Sequence, residues 1–304
     1  MNSMIPLPYP FSLEEELKKN SELKMSDIEM LREWCDKQQH LPKPSNLHLI
    51  LFLHSNYYSM EAAKNTIENF FTIRSHVPEF FDNRDPLGSK ELRFSSELPG
   101  LSKHGYKILF GKLMDTNPSH YSFEDSNKNI FMGCDLIGLK NGTCDGYIFI
   151  ADASNVTLGH VGRMNPMGMK KLVMYVQEAI PVRIKGIHFI NTPSVMDVIL
   201  NMAKPFMKKE LWNMVRNFIT RFRVLVPSLI KYISLDLLPN EIGGKAGSLA
   251  EMQEARINEI DSKREWFLEE MKYGKVDESL RIGKSNIAND LFGVEGTFKK
   301  LDID

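Results

Sequence analysis

The stretch VRIKGIHFINTPSVMDVILNMAKPFM, residues 182–207, carries two patterns in succession. Its first part, VRIKGIHFIN (182–191), reads as a strand. From Thr192 onward the reading is helical. Thr192 is a good N-cap, and Pro193 suits the first helical position, where a missing N–H costs nothing. Asp197, Asn201, Lys204 and Lys208 then recur at helical spacing on one narrow stripe. Nearly everything else is apolar: Val195, Met196, Val198, Ile199, Leu200, Met202, Ala203, Phe206 and Met207. A helix needs an apolar face of only about 100° to dock on a core. Here the apolar arc is roughly 260°, at about 100° of turn per residue. One face therefore covers the protein itself, and another is left for something else. Pro205 predicts a break, with a second helix running to about residue 223.

The same alternation continues upstream. GYKILFG (105–111) reads as a strand, SFEDSNKNIFMGCDLIGL as a helix, and GYIFIAD (146–152) as a strand buried on both faces. Residues 168–179 form the next helix. Strands alternating with helices of this length predict an α/β domain with a mostly parallel sheet and right-handed crossovers. Residues 11–76 show helical signals instead. Ser12 and Glu15 make a capping box. Ser26, Ile28, Leu31 and Trp34 start a second helix that ends before Pro42, and residues 47–53 and 62–71 are further helical pieces. The segment VPEFFDNRDPLGSK reads as a linker. A charged amphipathic helix is expected over 249–272, before an irregular tail. The expected organisation is a helical domain with linker (1–90), an α/β domain (91–250), and a C-terminal helix and tail packing on the body (251–304).

A chain of 304 residues, 42% apolar, is long enough for about two domains and a real core. The formal net charge of −1 supplies no global field toward nucleic acid, so any electrostatic partner must be met by a local patch. Cys35, Cys134 and Cys144 show neither metal nor redox spacing. The start MNSMIPLPYPF has no basic region of a signal peptide, and no stretch approaches the ~20 apolar residues of a membrane span. The expectation is a cytoplasmic protein.

Motifs for catalysis are missing. There is no G-x-S-x-G elbow, P-loop, G-x-G-x-x-G after a strand, or H-E-x-x-H. GGKAGS (243–248) follows LPNEI rather than a strand. Asp152 ends a buried strand, where open α/β sheets bind ligands. It reads as a hydrogen-bond anchor for the next turn more readily than as a catalytic group, since no nucleophile or base accompanies it. His160 and His188 lack partners at ligand spacing and read as structural. No catalytic residue, metal or cofactor is expected. The positive signal is charge beside oil. Arg183 and Lys185 share one strand face, Lys204 and Lys208 share the helix stripe, and Lys209 and Arg216 follow. Such a patch suits an anionic headgroup, and an ordinary solvated face is the alternative. For the oily helix the alternatives are plain core and a dimer interface.

LREWCDKQQHLP (31–42), VPEFFDNRDP (77–86), RIKGIHFINTP (183–193), KPF (204–206), LPNEIGG (238–244) and the closing GTFKKLDID together resemble the CRAL-TRIO family, in its alpha-tocopherol transfer and retinaldehyde-binding branch and in the insect form. The blocks span nearly the whole chain in the family's order. The resemblance implies a helical N-terminal domain and a CRAL-TRIO lipid-binding domain that encloses one hydrophobic molecule under a mobile gate helix, here about residues 192–207. It implies a non-enzymatic carrier of tocopherol, retinoid, carotenoid or related lipid, cytoplasmic and transiently membrane-associated, with a phosphoinositide-binding surface that Arg183 and Lys185 match. The sequence departs from the family at FLHSN (52–56), where a basic residue is common, and at Glu210 and Met214. Ile130 and Cys134 stand where the tocopherol-binding branch has serines, which leaves retinoid, carotenoid, sterol or phospholipid open.

Pattern and resemblance together place the pocket wall on Ile130, Phe131, Cys134 and Ile137; on Ile148 and Ile150 of the central strand; and on Leu172, Tyr175 and Val176. Ile184, Ile187 and Phe189, then Val195, Ile199 and Met202 of the gate, complete it. The rival reading is a lipid-sensing interaction module, with Leu249, Met252, Ile257, Ile260 and Phe267 facing a protein partner.

Overall fold

The computed structural model describes residues 10–88, 95–217, 219–221 and 233–292. The closing GTFKKLDID and the Arg216 side chain lie outside the described residues. Helices α1 (Leu13–Lys19), α2 (Met25–Lys37), α3 (Asn46–Ser55), α4 (Met60–His76) and the short α5 (Pro78–Phe81) come first. The capping box of Ser12 and Glu15 starts α1 as expected. The segment expected to be a linker is packed instead. Phe80 and Phe81 are buried, and Phe81 stacks on Phe131 at 5.3 Å. Aromatic burial outweighs the local Pro, Asp and Gly signals there.

A five-stranded sheet follows, in the order β1 (Ser95–Leu101), β2 (Lys107–Lys112), β3 (Tyr147–Asp152), β4 (Ile184–Thr192), β5 (Ile219–Arg221). Among the described residues only the β1–β2 pair is antiparallel. Helix α6 (Phe123–Asn141) joins β2 to β3, while α7 (Leu158–Val161) and α8 (Pro166–Glu178) join β3 to β4. Helices α9 (Met196–Ala203) and α10 (Lys209–Asn217) join β4 to β5. Sequential strand order with right-handed crossovers puts all these helices on one face. Gly142 ends α6 at φ +63, where a Cβ would lie 2.2 Å from Glu16 Oε1. The other face is covered by residues 233–252: Ile233, Leu238, Ile242 and Leu249 pack under Ile108, Phe110, Ile148 and Ile150.

Three helical expectations shift. The helix after Pro205, expected to about residue 223, ends at Asn217, and residues 219–221 pair with β4 as β5. Thr192 does not cap α9; it ends β4 and pairs with Arg221, so ladder pairing beats the local Thr-Pro capping signal. The helix expected over 249–272 is two, α11 (Leu249–Asp261) and α12 (Arg264–Tyr273), before α13 (Asn286–Phe292). Leu249, Ile260 and Phe267 are buried in the chain's own core, which removes them from any partner surface.

The N-terminal helices are fastened to the rest by charge. Arg74 of α4 donates to Asp135 Oδ1 of α6 (2.6 Å) and Glu270 Oε1 of α12 (2.9 Å). Arg84 donates to the other oxygen of each, at 2.5 Å for Glu270 Oε2. Tyr175 of α8 accepts from Arg74 Nε and Nη2 at 3.0 and 2.6 Å. Burial alone would raise the Asp135 pKa, yet Arg74 and Arg84 together hold it below the usual carboxylate range.

Candidate functional site

Strand alternation builds one wall of a cavity. Ile148, Ile150, His188 and Ile190 are buried beneath the sheet, while Phe149, Ala151, Ile187 and Phe189 face the helices and are only half-buried. The cause is a cavity of about 330 Å³ above them. Its other walls are Ile130, Phe131 and Cys134 of α6, Leu172 and Val176 of α8, and Met196, Ile199, Leu200 and Ala203 of α9. Leu211 and Val215 of α10 close it, with Ile184 at one end.

Several residues expected at this wall lie elsewhere, each for a local reason. Ile148 points beneath the sheet, and Ile150 touches the cavity while packing in the same lower cluster. Ile137 packs between α6 and the sheet with Leu109 and Tyr147. Tyr175 faces the N-terminal helices, where Arg74 holds its hydroxyl. Val195 is buried just before α9, and Met202 packs half-buried against the helical core. Residues the sequence reading passed over take their place. Phe149 and Ala151 follow from the strand period once the register is known, and Met196 and Leu200 share the helical face of Ile199 and Ala203. Tyr121, Ser126 and His160 also line the cavity, with no periodicity to announce them.

Asp152 reaches the cavity from the carboxyl end of β3 as an anchor. Its carboxylate holds Lys112 at 2.9 Å, the Ser154 N–H at 3.0 Å and Asn191 Nδ2 at 3.1 Å, tying three strand ends together. Burial would raise its pKa, but these partners keep it below the ordinary range.

Helix α9 runs over the cavity from the carboxyl end of β4. It has no side-chain cap, and Pro205 breaks it into a turn of 3-10 helix before α10, as expected. Its far end is held through Gln177, which donates to the Phe206 carbonyl at 3.1 Å and accepts the Lys208 N–H at 3.0 Å. Exposed apolar side chains include Val198 of α9 at 46% and Leu158 of α7 at 71%, with Met114 and Met167.

The basic side chains lie toward the other end of β4. Arg183 donates to the His54 carbonyl at 2.7 Å and sits over the Tyr57 ring at 4.2 Å. Lys185 reaches the Tyr57 hydroxyl at 2.9 Å. Those two are brought together on one tyrosine. Lys208 pairs with Glu178 at 2.5 Å, Lys204 lies over Trp212 at 5.1 Å, and Lys209 is exposed. Burial, with Arg183 and Lys19 nearby, pushes His54 down to about 3, so it adds no charge to this patch. Among the described residues no group of acidic, His and Cys side chains could hold a metal ion, and no helix is long and apolar enough to cross a membrane.

Residues 20–91 match the Pinta-like UBA domain, and residues 97–244 match the CRAL/TRIO domain. An alpha-tocopherol transfer protein-like protein of Mus musculus is 27% identical over 241 residues, 77% of this chain and 69% of the relative. Clavesin-1 of Pongo abelii is 25% identical over 242 residues, 75% and 66% of the two chains. The crystal structure of Sfh5 aligns with a TM-score of 0.46 at 11% identity, covering 80% of this chain and 92% of that one. The crossovers that enclose the cavity fall inside residues 97–244, and this part of the chain is a CRAL/TRIO domain.

Proposed function

We propose that this chain binds one small hydrophobic molecule in the cavity beneath α9 and carries it between membranes without altering it. The observation that carries the reading is the cavity itself: about 330 Å³, walled by aliphatic and aromatic side chains from the sheet and four helices. Its volume falls in the range of small-molecule sites, and such a wall favours an apolar occupant. Tocopherol, retinoid, carotenoid and related lipids are the candidates. A relative named for alpha-tocopherol transfer fits a carrier of that kind.

Helix α9 serves as the gate. It is short, uncapped and broken at Pro205, and its inner face is part of the cavity wall. Opening it would expose Met196, Ile199 and Leu200 in addition to the already exposed Val198, giving an apolar surface for a bilayer at the moment of exchange. Arg183, Lys185, Lys208 and Lys209 supply the attraction to anionic lipid, phosphoinositides included. The test is ligand transfer between vesicles. Val198→Asp should leave ligand binding intact and slow transfer severalfold, because a charge on the outer face opposes insertion. Transfer at the unmutated rate would remove α9 from the exchange step.

A further inference from the structure

The polar groups at the cavity wall are mostly engaged. Asp152 holds Lys112, and Asn127 Nδ2 donates to the Phe123 carbonyl at 2.8 Å. His160 is different. It is fully buried at the wall, with its ring edge-on to Tyr121 at 5.4 Å between centroids. Thr157 orients the ring: its N–H donates to His160 Nδ1 at 3.1 Å. A ring nitrogen that accepts a backbone N–H carries no proton, so the neutral ring bears its hydrogen on Nε2. Burial lowers the His160 pKa, which keeps the ring neutral. That Nε2–H has no acceptor among the described residues. Buried donors are nearly always paired, and an unpaired one at the wall of a ligand cavity marks a point of recognition. Tyr121 and Ser126 line the same cavity.

We propose that His160 Nε2–H donates to a single uncharged oxygen at the polar end of the bound molecule. The ligand class is then a hydrophobic chain or ring system ending in a carbonyl or hydroxyl. A bare hydrocarbon leaves the donor unpaired. An anionic headgroup would be buried against a neutral imidazole, while the nearby Lys112 is already neutralised by Asp152. This inference rests on the carrier reading above.

The test uses phytol and phytane, the same branched chain with and without a terminal oxygen, each displacing the hydrocarbon fluorophore diphenylhexatriene from the full-length protein. His160→Phe should move the phytol-to-phytane ratio about tenfold against phytol, the scale of one lost hydrogen bond. In the unmutated protein, the His160 Nε2–H proton resonance should move downfield with phytol and stay in place with phytane. That second measurement decides the matter should the variant not fold. Phytol bound with an unmoved resonance and an unchanged ratio would overturn the His160 assignment and leave the carrier reading standing. Neither molecule nor the fluorophore entering the protein would overturn both.

Discussion

The two sides of the cavity are held by different forces. Behind it, Arg74, Arg84, Asp135 and Glu270 close a ring of four charges, each guanidinium bridging both carboxylates. Arg74 is also over the Phe70 ring at 4.0 Å, and Arg84 over Phe267 at 5.1 Å. In front, α9 is kept by apolar contact and by the two hydrogen bonds of Gln177 at its far end. A buried ion ring is directional and fails sharply if one member is lost, whereas apolar contact tolerates sliding and re-packing. The fold thus places its rigid fastening between domains and leaves its adaptable surface over the cavity.

Breaking the rear fastening should give the largest effect. Glu270→Ala leaves two buried guanidiniums sharing Asp135, and should lower unfolding free energy by about 3–5 kcal/mol. Urea denaturation measures it, and a loss within the range of a surface substitution would mean that the ring is not closed.

Acid sharpens the same contrast. His54 and His188 are buried, and burial is the main cause of pKa values lowered to about 3 and about 4. Below pH 6.5 the unfolded chain binds protons that the folded chain refuses. Stability therefore falls as pH falls from about 6.5 toward 4, by up to about 1.4 kcal/mol per pH unit for each histidine. Thermal melts at pH 7 and pH 5 read this, and His188→Gln should flatten the slope. An unchanged melting temperature would show that these imidazoles find compensating acceptors.

Changes at the front should touch function more than stability. Ile199→Asp puts a carboxylate at the cavity wall and should cut vesicle-to-vesicle transfer by about tenfold. Its denaturation midpoint should move less than that of Glu270→Ala; the reverse order would erase the distinction between the two sides. The smallest effect belongs to the basic patch. Arg183→Ala with Lys185→Ala should weaken binding to anionic vesicles severalfold, more at low salt, with neutral vesicles unaffected. Equal losses on both vesicle types would point to a packing defect around Tyr57.

Much of this architecture was legible in the sequence. GYKILFG, GYIFIAD and the strand beginning at Ile184 stand out as apolar runs, and the crossover helices as long periodic segments. Strand β1 was not legible, because SSELPGL has no alternation and contains Pro99 and Gly100. The cavity wall was half legible. A strand buried on both faces hides which side meets the ligand space, so Phe149 could not be preferred to Ile148 without the register against β4. The ion ring was invisible, since Arg74 and Glu270 stand 196 residues apart. So was Tyr175's role, because an apolar helix stripe cannot show that an arginine takes the hydroxyl. In the sequence His160 has no partner at ligand spacing; only the geometry at Thr157 shows which nitrogen is spent and which is left.

The central claim is that the space under α9 holds one hydrophobic molecule. Native mass spectrometry of the purified full-length protein, followed by organic extraction and identification of what is released, tests it most directly. A single stoichiometric adduct is expected, apolar and extractable, lost from Ile199→Asp and retained by Val198→Asp. A protein that carries no adduct, and gains no thermal stability from tocopherols, retinoids, carotenoids, sterols or phosphoinositides, would contradict it.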